Sequence, residues 1–338
     1  MAFALLLLLA ASPTFEESFR AGLLALQRND LPAASANLDA AARLAPKNGR
    51  VWIALAQTYW KQKDGRRADD AASKAALYGA GDALVQSSLA IYYSESGQTL
   101  KAAGAEATYA SLSPQNADAR RKAESLYFEA VQPLLQQEKF GEAISILSKA
   151  REQVADSAQL ELALGVACYG LRRFDEAADA FLRTIAIAPE VAQPYIFLGK
   201  FLDQIPGKLP QVTIAFERYQ SANPASATGY LLHAKALDAQ SIQPETARKL
   251  LESAISIDPI DPAAHFELGV LFDRSRNSAD AAREFEKAAE LNPSDSATHY
   301  RLSRVYDRLG KTGAAQRERE IHARLIAAEQ AAKLAPPK

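Results

Sequence analysis

Cysteine is nearly absent: the 338 residues contain one, Cys168. A single thiol excludes an intramolecular disulfide framework and any Cys-rich zinc site. Histidine is almost as scarce. His233, His265, His299 and His322 are dispersed, with no two at i, i+4, so the spacing of a helical metal-ligand pair is missing. They read as packing or surface residues on helices. Net charge is close to zero, at -1, and Lys and Arg are spread along the chain rather than gathered into a stripe. No global field therefore draws in nucleic acid or an anionic membrane. The apolar run Phe3 to Ala11 falls well short of the roughly 20 residues that a bilayer span needs, so no stable membrane span is expected. There is no phosphate-cradling glycine loop: Gly79-Ala80-Gly81 follows no strand and reads as a turn. Asp and Glu are frequent, but no apolar pocket surrounds them to raise a pKa. Cys168 falls at a position that reads as core. No enzymatic activity, catalytic residue, cofactor or metal is expected.

The N-terminal run contains five consecutive leucines, Leu5 to Leu9, followed by small residues. That order matches the core and cleavage zone of a secretory signal. No Lys or Arg precedes it, and a cut after Ser12 would leave Pro13 next to the break. The alternative is an apolar helical extension over the first repeat. So much exposed apolar surface suits a soluble tail poorly, and the expectation is a periplasmic or secreted protein, with a cytoplasmic one as the alternative.

What the chain does have is a period of about 34 residues. Leu164 to Pro189 and Leu268 to Pro293, aligned on their Leu-Gly pairs, also match at Ala177 and Ala281, Phe181 and Phe285, and the final Pro. Such a period with two helical stretches marks a helical solenoid, in which each repeat buries its apolar face on its neighbours. Nine repeats start near Phe15, Gly49, Ala83, Glu124, Ala158, Ala192, Ala227, Pro262 and Ser296. Counted from those starts, the eighth position is small in nearly every repeat, from Gly22 and Ala56 to Gly269 and Ser303. The twentieth, after allowing a one-residue insertion in the sixth and seventh repeats, is Ala in all but the sixth, which has Val212. Small residues let the two helices approach closely. Pro46, Pro114, Pro189, Pro224, Pro259 and Pro293 each end a second helix.

These residues resemble the tetratricopeptide repeat over about Phe15 to Leu325. The resemblance implies an all-α, right-handed superhelical solenoid of helix-turn-helix repeats, about nine of them, plus a C-terminal capping helix. The expected organisation is a signal-like segment at 1–13, repeats 1–3 at 14–116 and an inserted stretch at 117–123 that lengthens a helix and makes a joint. Repeats 4–8 and the first helix of repeat 9 follow at 124–311, then the last helix, a cap beyond Arg324 and a frayed tail at 312–338. Two irregularities are expected: Gln132-Pro133 interrupting the first helix of repeat 4, and Ile205 to Pro210 replacing the short turn of repeat 6.

The resemblance further implies that positions 2, 5, 9, 12 and 13 of each first helix line a concave groove. In the N-terminal half these positions give an apolar lining: Phe19, Leu23, Ile53, Trp60, Ile91 and Phe128, continued by Leu162, Val166 and Tyr169. Trp60, Phe128 and Tyr169 are the aromatic candidates for partner contact. In the C-terminal half, position twelve is Asp203, Asp238, Asp273 and Asp307, and position nine is Lys200, Lys235, Val270 and Arg304. Basic and acidic residues three apart on a helix are neighbours, so intrahelical pairs are expected. The aspartates would form a ladder for a partner with polar or basic groups, or only a solvated face. Leu23, Gln57 and Ile91 at position nine of the first three repeats depart from the Lys and Asn of a chaperone carboxylate clamp, which argues against one. The function implied is a noncatalytic scaffold holding a protein or peptide in the groove. The alternatives are a structural subunit of an exported secretion or polysaccharide-export machine, and a cytoplasmic regulator.

Overall fold

The computed structural model describes residues 13–334. The leucine-rich run and the tail 335–338 lie outside them. The described residues form eighteen α-helices and no strand, in two compact bodies. The N-terminal body ends at Leu171. It holds α1 (Phe15–Gln27), α2 (Leu31–Leu44), α3 (Gly49–Lys61), α4 (Gly65–Tyr78), α5 (Ala83–Glu95), α6 (Thr99–Leu112), α7 (Ala117–Gln136), α8 (Phe140–Gln153) and α9 (Ala158–Gly170). The C-terminal body begins at Arg172. It holds α10 (Phe174–Ile187), α11 (Gln193–Leu198), α12 (Leu209–Ala222), α13 (Ala227–Ala239), α14 (Pro244–Ile257), α15 (Pro262–Arg274), α16 (Ser278–Leu291), α17 (Ser296–Arg308) and α18 (Thr312–Leu334). Odd-numbered helices through α9 are first helices of repeats, as are α11, α13, α15 and α17; the others are second helices.

The starts and stops follow from local chemistry. Thr14 and Glu17 form a reciprocal capping box at α1, and Asp30, Asn48, Asp64, Asp82, Asn277 and Asp295 each accept a backbone N–H at a helix start. The six terminating prolines stand two residues past α2, α6, α10, α12, α14 and α16. Each preceding residue has left the helical region, as the clash with the proline ring demands, with Ala45 at φ -135° and ψ 71°. Between the two helices of a repeat, position fifteen turns the chain in the left-handed region. Asn29, Lys63, Gly97, Glu138, Arg172, Ser241, Arg276 and Gly310 all have φ between 56° and 74°. Only two of these eight are the glycine that this geometry favours.

Packing centres on the small positions. The twentieth residue of every repeat, from Ala34 to Ala315, is 0% exposed. A Cβ on Gly269 would lie 2.8 Å from the Phe285 ring, and one on Gly49 would lie 2.6 Å from the Gly79 Cα. Gly79 thus does more than turn the chain: its bare backbone lets the start of α3 pack on the end of α4. Position four of five repeats ties the entering loop. Trp52, Gln86, Tyr195, His265 and His299 each direct a side-chain polar atom to a carbonyl six or seven residues upstream. The two histidines also meet Glu284 and Glu318 at 2.8 and 2.6 Å. They are buried structural ties.

Several expectations need correction. Residues 117–123 do lengthen a helix, as the first two turns of the 20-residue α7 with Ala119 and Ala123 buried, but the joint does not fall there. The division into bodies falls after α9, inside the fifth repeat. Pro133 does not interrupt α7, because it sits in the last turn, where it removes one intrahelical hydrogen bond and continuation of the helix is not required. No break separates the last repeat helix from a cap: α18 is continuous. In repeat 6 the first helix is cut to six residues, and two 3-10 turns, Leu202–Gln204 and Pro206–Lys208, follow it. Stacked rings hold this shortened segment. Phe197 lies 5.1 Å from Phe181, and Phe201 lies 5.4 Å from Phe174.

Candidate functional site

In the C-terminal body, the first helices of repeats 7 to 9 and the segment that follows α11 line one cavity of about 190 Å³. Lys200 and Asp203 come from the sixth repeat, Lys235 and Asp238 from the seventh, Glu267 and Arg274 from the eighth and Arg301 from the ninth. Four of the expected site residues therefore meet here. Their pairing differs from the expectation. Lys235 does not pair with Asp238 one turn along its own helix; its Nζ reaches Glu267 at 2.7 Å. Asp238 is held by Arg274 Nη1 at 2.6 Å. Asp273 is bound by Arg308, and Asp307 by Arg319 Nη1 at 2.7 Å. Each twelfth-position Asp from repeat 7 onward is thus neutralised by an arginine of the following helical layer. Arg274 and Arg308 are the thirteenth residues of successive repeats. Tilted neighbouring helices bring position twelve of one against position thirteen of the next. That recurrence, Asp at twelve and Arg at thirteen one repeat later, was the signal in the sequence that the reading of each helix by itself missed.

Repeat 6 departs from this rule. Lys200 lies beyond the end of α11 and Asp203 lies in a 3-10 turn, so neither occupies the regular helical register, and both are exposed. The equivalent thirteenth position of repeat 7 is Ala239, which cannot supply the cation. Three cations of this face rest on aromatic rings instead of carboxylates. Lys200 Nζ is 5.0 Å from the Phe197 ring, Arg301 is 5.8 Å from Phe266, and Arg304 is 5.8 Å from Tyr300. A ring's negative face attracts the cation without cancelling its charge.

The N-terminal body offers a different surface. Leu23 (41% exposed), Trp60 (36%) and Ile91 (50%) remain open, and Trp60 meets the buried Tyr92 edge-on at 6.0 Å. Ile53 does not join them: it is 6% exposed and belongs to the core, against which Phe19 also packs. Phe19 and Leu23 still line a hollow of about 480 Å³ on α1 with Phe15 and Leu24. Phe128, Leu162, Val166 and Tyr169 are half-buried. Behind this face, tyrosine hydroxyls bind the second helix of the preceding repeat. Tyr59 donates to Asp39 and Tyr92 to Asp69, each at 2.8 Å. Burial, then the bond to Asp39, pushes the Tyr59 hydroxyl up to about 12, and burial and Asp69 raise Tyr92 in the same way. These phenols stay protonated as donors. Cys168 is buried in α9.

The helix pairs and their small interior positions define a helical-repeat protein. The model of the tetratricopeptide repeat matches residues 19–83, 128–192, 231–296 and 271–318, more than half of the chain, and the chain belongs to that family. No curated protein matches it. Among solved structures it is similar to MamA, from residue 41 to its end, of Desulfovibrio magneticus RS-1, with 24% identity, 51% of this chain and 96% of that one covered, and a TM-score of 0.43. A thermophilic TPR protein of Thermus thermophilus gives 18% identity, 52% and 100% coverage, and a TM-score of 0.42. Yeast Tom70 gives 15%, 96% and 90%, and 0.45.

Proposed function

We propose that this protein is a noncatalytic scaffold that holds protein partners on the inner faces of its first helices. The observation that carries this reading is the contrast between layers. The small interior positions are sealed, while Leu23, Trp60 and Ile91 stay open on first helices of one body and a polar cavity opens on first helices of the other. Open apolar and aromatic residues on a repeat surface suit an extended peptide or an amphipathic helix. The leucine-rich run Leu5 to Leu9 supports export, to the periplasm or outside the cell.

Site-specific photo-crosslinking in the native host tests the scaffold reading. A photoreactive residue replaces Ile91 or Tyr300 on first helices, or the exposed Leu77 or Ile214 on second helices. Adducts from Ile91 and Tyr300 are expected. Adducts confined to Leu77 and Ile214 would reject the groove and favour a structural subunit that assembles through its outer face. Sequencing of the mature N-terminus tests export: an intact Met1 or Ala2 in the cytoplasmic fraction rejects it.

A further inference from the structure

We propose that the inner-face cavity of the C-terminal body selects an acidic segment of a partner protein, whose Asp or Glu side chains engage Lys200 and Arg301, with Arg304 beside them. The inference rests on the scaffold reading and gives its partner a chemistry. A row of aspartates suggests the opposite charge preference, and the pairing removes it. Asp238, Asp273, Asp307 and Glu267 are each satisfied by Arg274, Arg308, Arg319 and Lys235. A basic partner would have to displace those cations from short contacts before gaining its own. Lys200, Arg301 and Arg304 have aromatic rings beneath them, and none of them is fully buried. Against these three stands Asp203, in the 3-10 turn of repeat 6. The charge available to a ligand is therefore net positive, although the whole chain carries -1.

Geometry restricts the ligand further. Lys200 and Arg301 line the same cavity but come from the sixth and ninth repeats. One ligand segment can therefore meet both, and Phe266, beneath Arg301, adds an aromatic ring to the same wall. Carboxylates fit better than phosphates, because Asp203 also lines the cavity and a dianion meets about twice the repulsion of a monoanion. The cations span repeats, so side-chain carboxylates along a segment suit them better than one terminal carboxylate.

The test uses the full chain and dye-labelled peptides of equal length with blocked termini, followed by fluorescence anisotropy. The probes are a Glu-rich peptide with a central Phe, its Gln isostere, its Lys counterpart, the Gln peptide with a free C-terminal carboxylate, and a phosphoserine version. The Glu peptide should bind at least about tenfold tighter than the Gln isostere, with affinity falling as salt rises. Lys200→Gln and Arg301→Gln should each weaken it several-fold, without changing helicity or Tm. Arg183→Gln, on the exposed side of α10, should leave binding as it is. Equal or tighter binding of the Lys or phosphoserine peptide overturns the inference. So does a free carboxylate that accounts for the affinity, indifference to both substitutions, or no binding of the Glu peptide. If the Glu peptide fails while Ile91 and Tyr300 still give adducts, only the acidic chemistry falls. Adducts confined to the second helices bring down the scaffold reading itself.

Discussion

Position fifteen shows how a single residue carries the fold at some cost. Glu138 and Arg276 have φ of 56° and 59°, where a side chain crowds its own backbone. Glu138→Gly and Arg276→Gly should each stabilise the protein by about 0.5–1 kcal/mol, the strain relieved less the added freedom of the unfolded chain, and thermal unfolding measures the gain. His233 is a different case. It is 8% exposed, its Nδ1 has no hydrogen-bond partner among the described residues, and burial lowers its pKa below 6.5 against the opposing pull of Glu217. Between that lowered value and 6.5 the unfolded chain holds more protons than the folded one. Stability from this group is therefore present above 6.5 and is lost as pH falls. Between about pH 7.5 and about pH 5.5, the Tm of the natural protein should fall more than that of His233→Leu; parallel curves would remove His233 as the source. The scarcity of histidine was plain in the sequence, but the burial of this one depends on what packs around α13.

Elements bring together what one helix cannot. The i, i+3 spacing of Lys235 and Asp238 predicted an intrahelical pair, yet the seventh repeat gives both residues to the eighth, as Lys235 to Glu267 and Asp238 to Arg274. A double-mutant cycle of Asp238→Asn with Arg274→Gln should give a coupling of about 0.2–1 kcal/mol, discounted for the half-exposed Arg274. Lys235→Gln with Asp238→Asn should show a coupling near zero. Helix boundaries were largely legible, because Asp, Asn, Ser and Pro act on the backbone within a few residues. The short α11 was legible only as an irregularity: Pro206 and Pro210 announce that a helix cannot continue, whereas the stacking of Phe197 and Phe201 against Phe181 and Phe174 depends on a neighbouring helix.

Across the whole molecule, stability in a repeat array is a sum of neighbouring contacts. Gly49→Ala would push a Cβ to 2.6 Å from the Gly79 backbone, at a cost of about 1–3 kcal/mol. Hydrogen exchange should then quicken in α3, α4 and α5, while α15 to α18 in the other body keep their protection; uniform loss throughout the chain would contradict this local transmission. The sequence by itself determined the repeat, its length, its small interior positions and its terminating prolines. Those are properties of near neighbours in the chain, repeated often enough to be read. It also placed Lys200, Asp203, Lys235 and Asp238 at positions the structure gathers into one cavity. Only the tertiary structure decided where the compact bodies divide, that Ile53 belongs to the core, and which charges cancel. A net preference depends on the partner that each charge finds in the next helical layer, 32 to 36 residues away in the pairs from Lys235 to Arg308 and 12 in Asp307 to Arg319, within the last repeat; packing of adjacent layers fixes that choice.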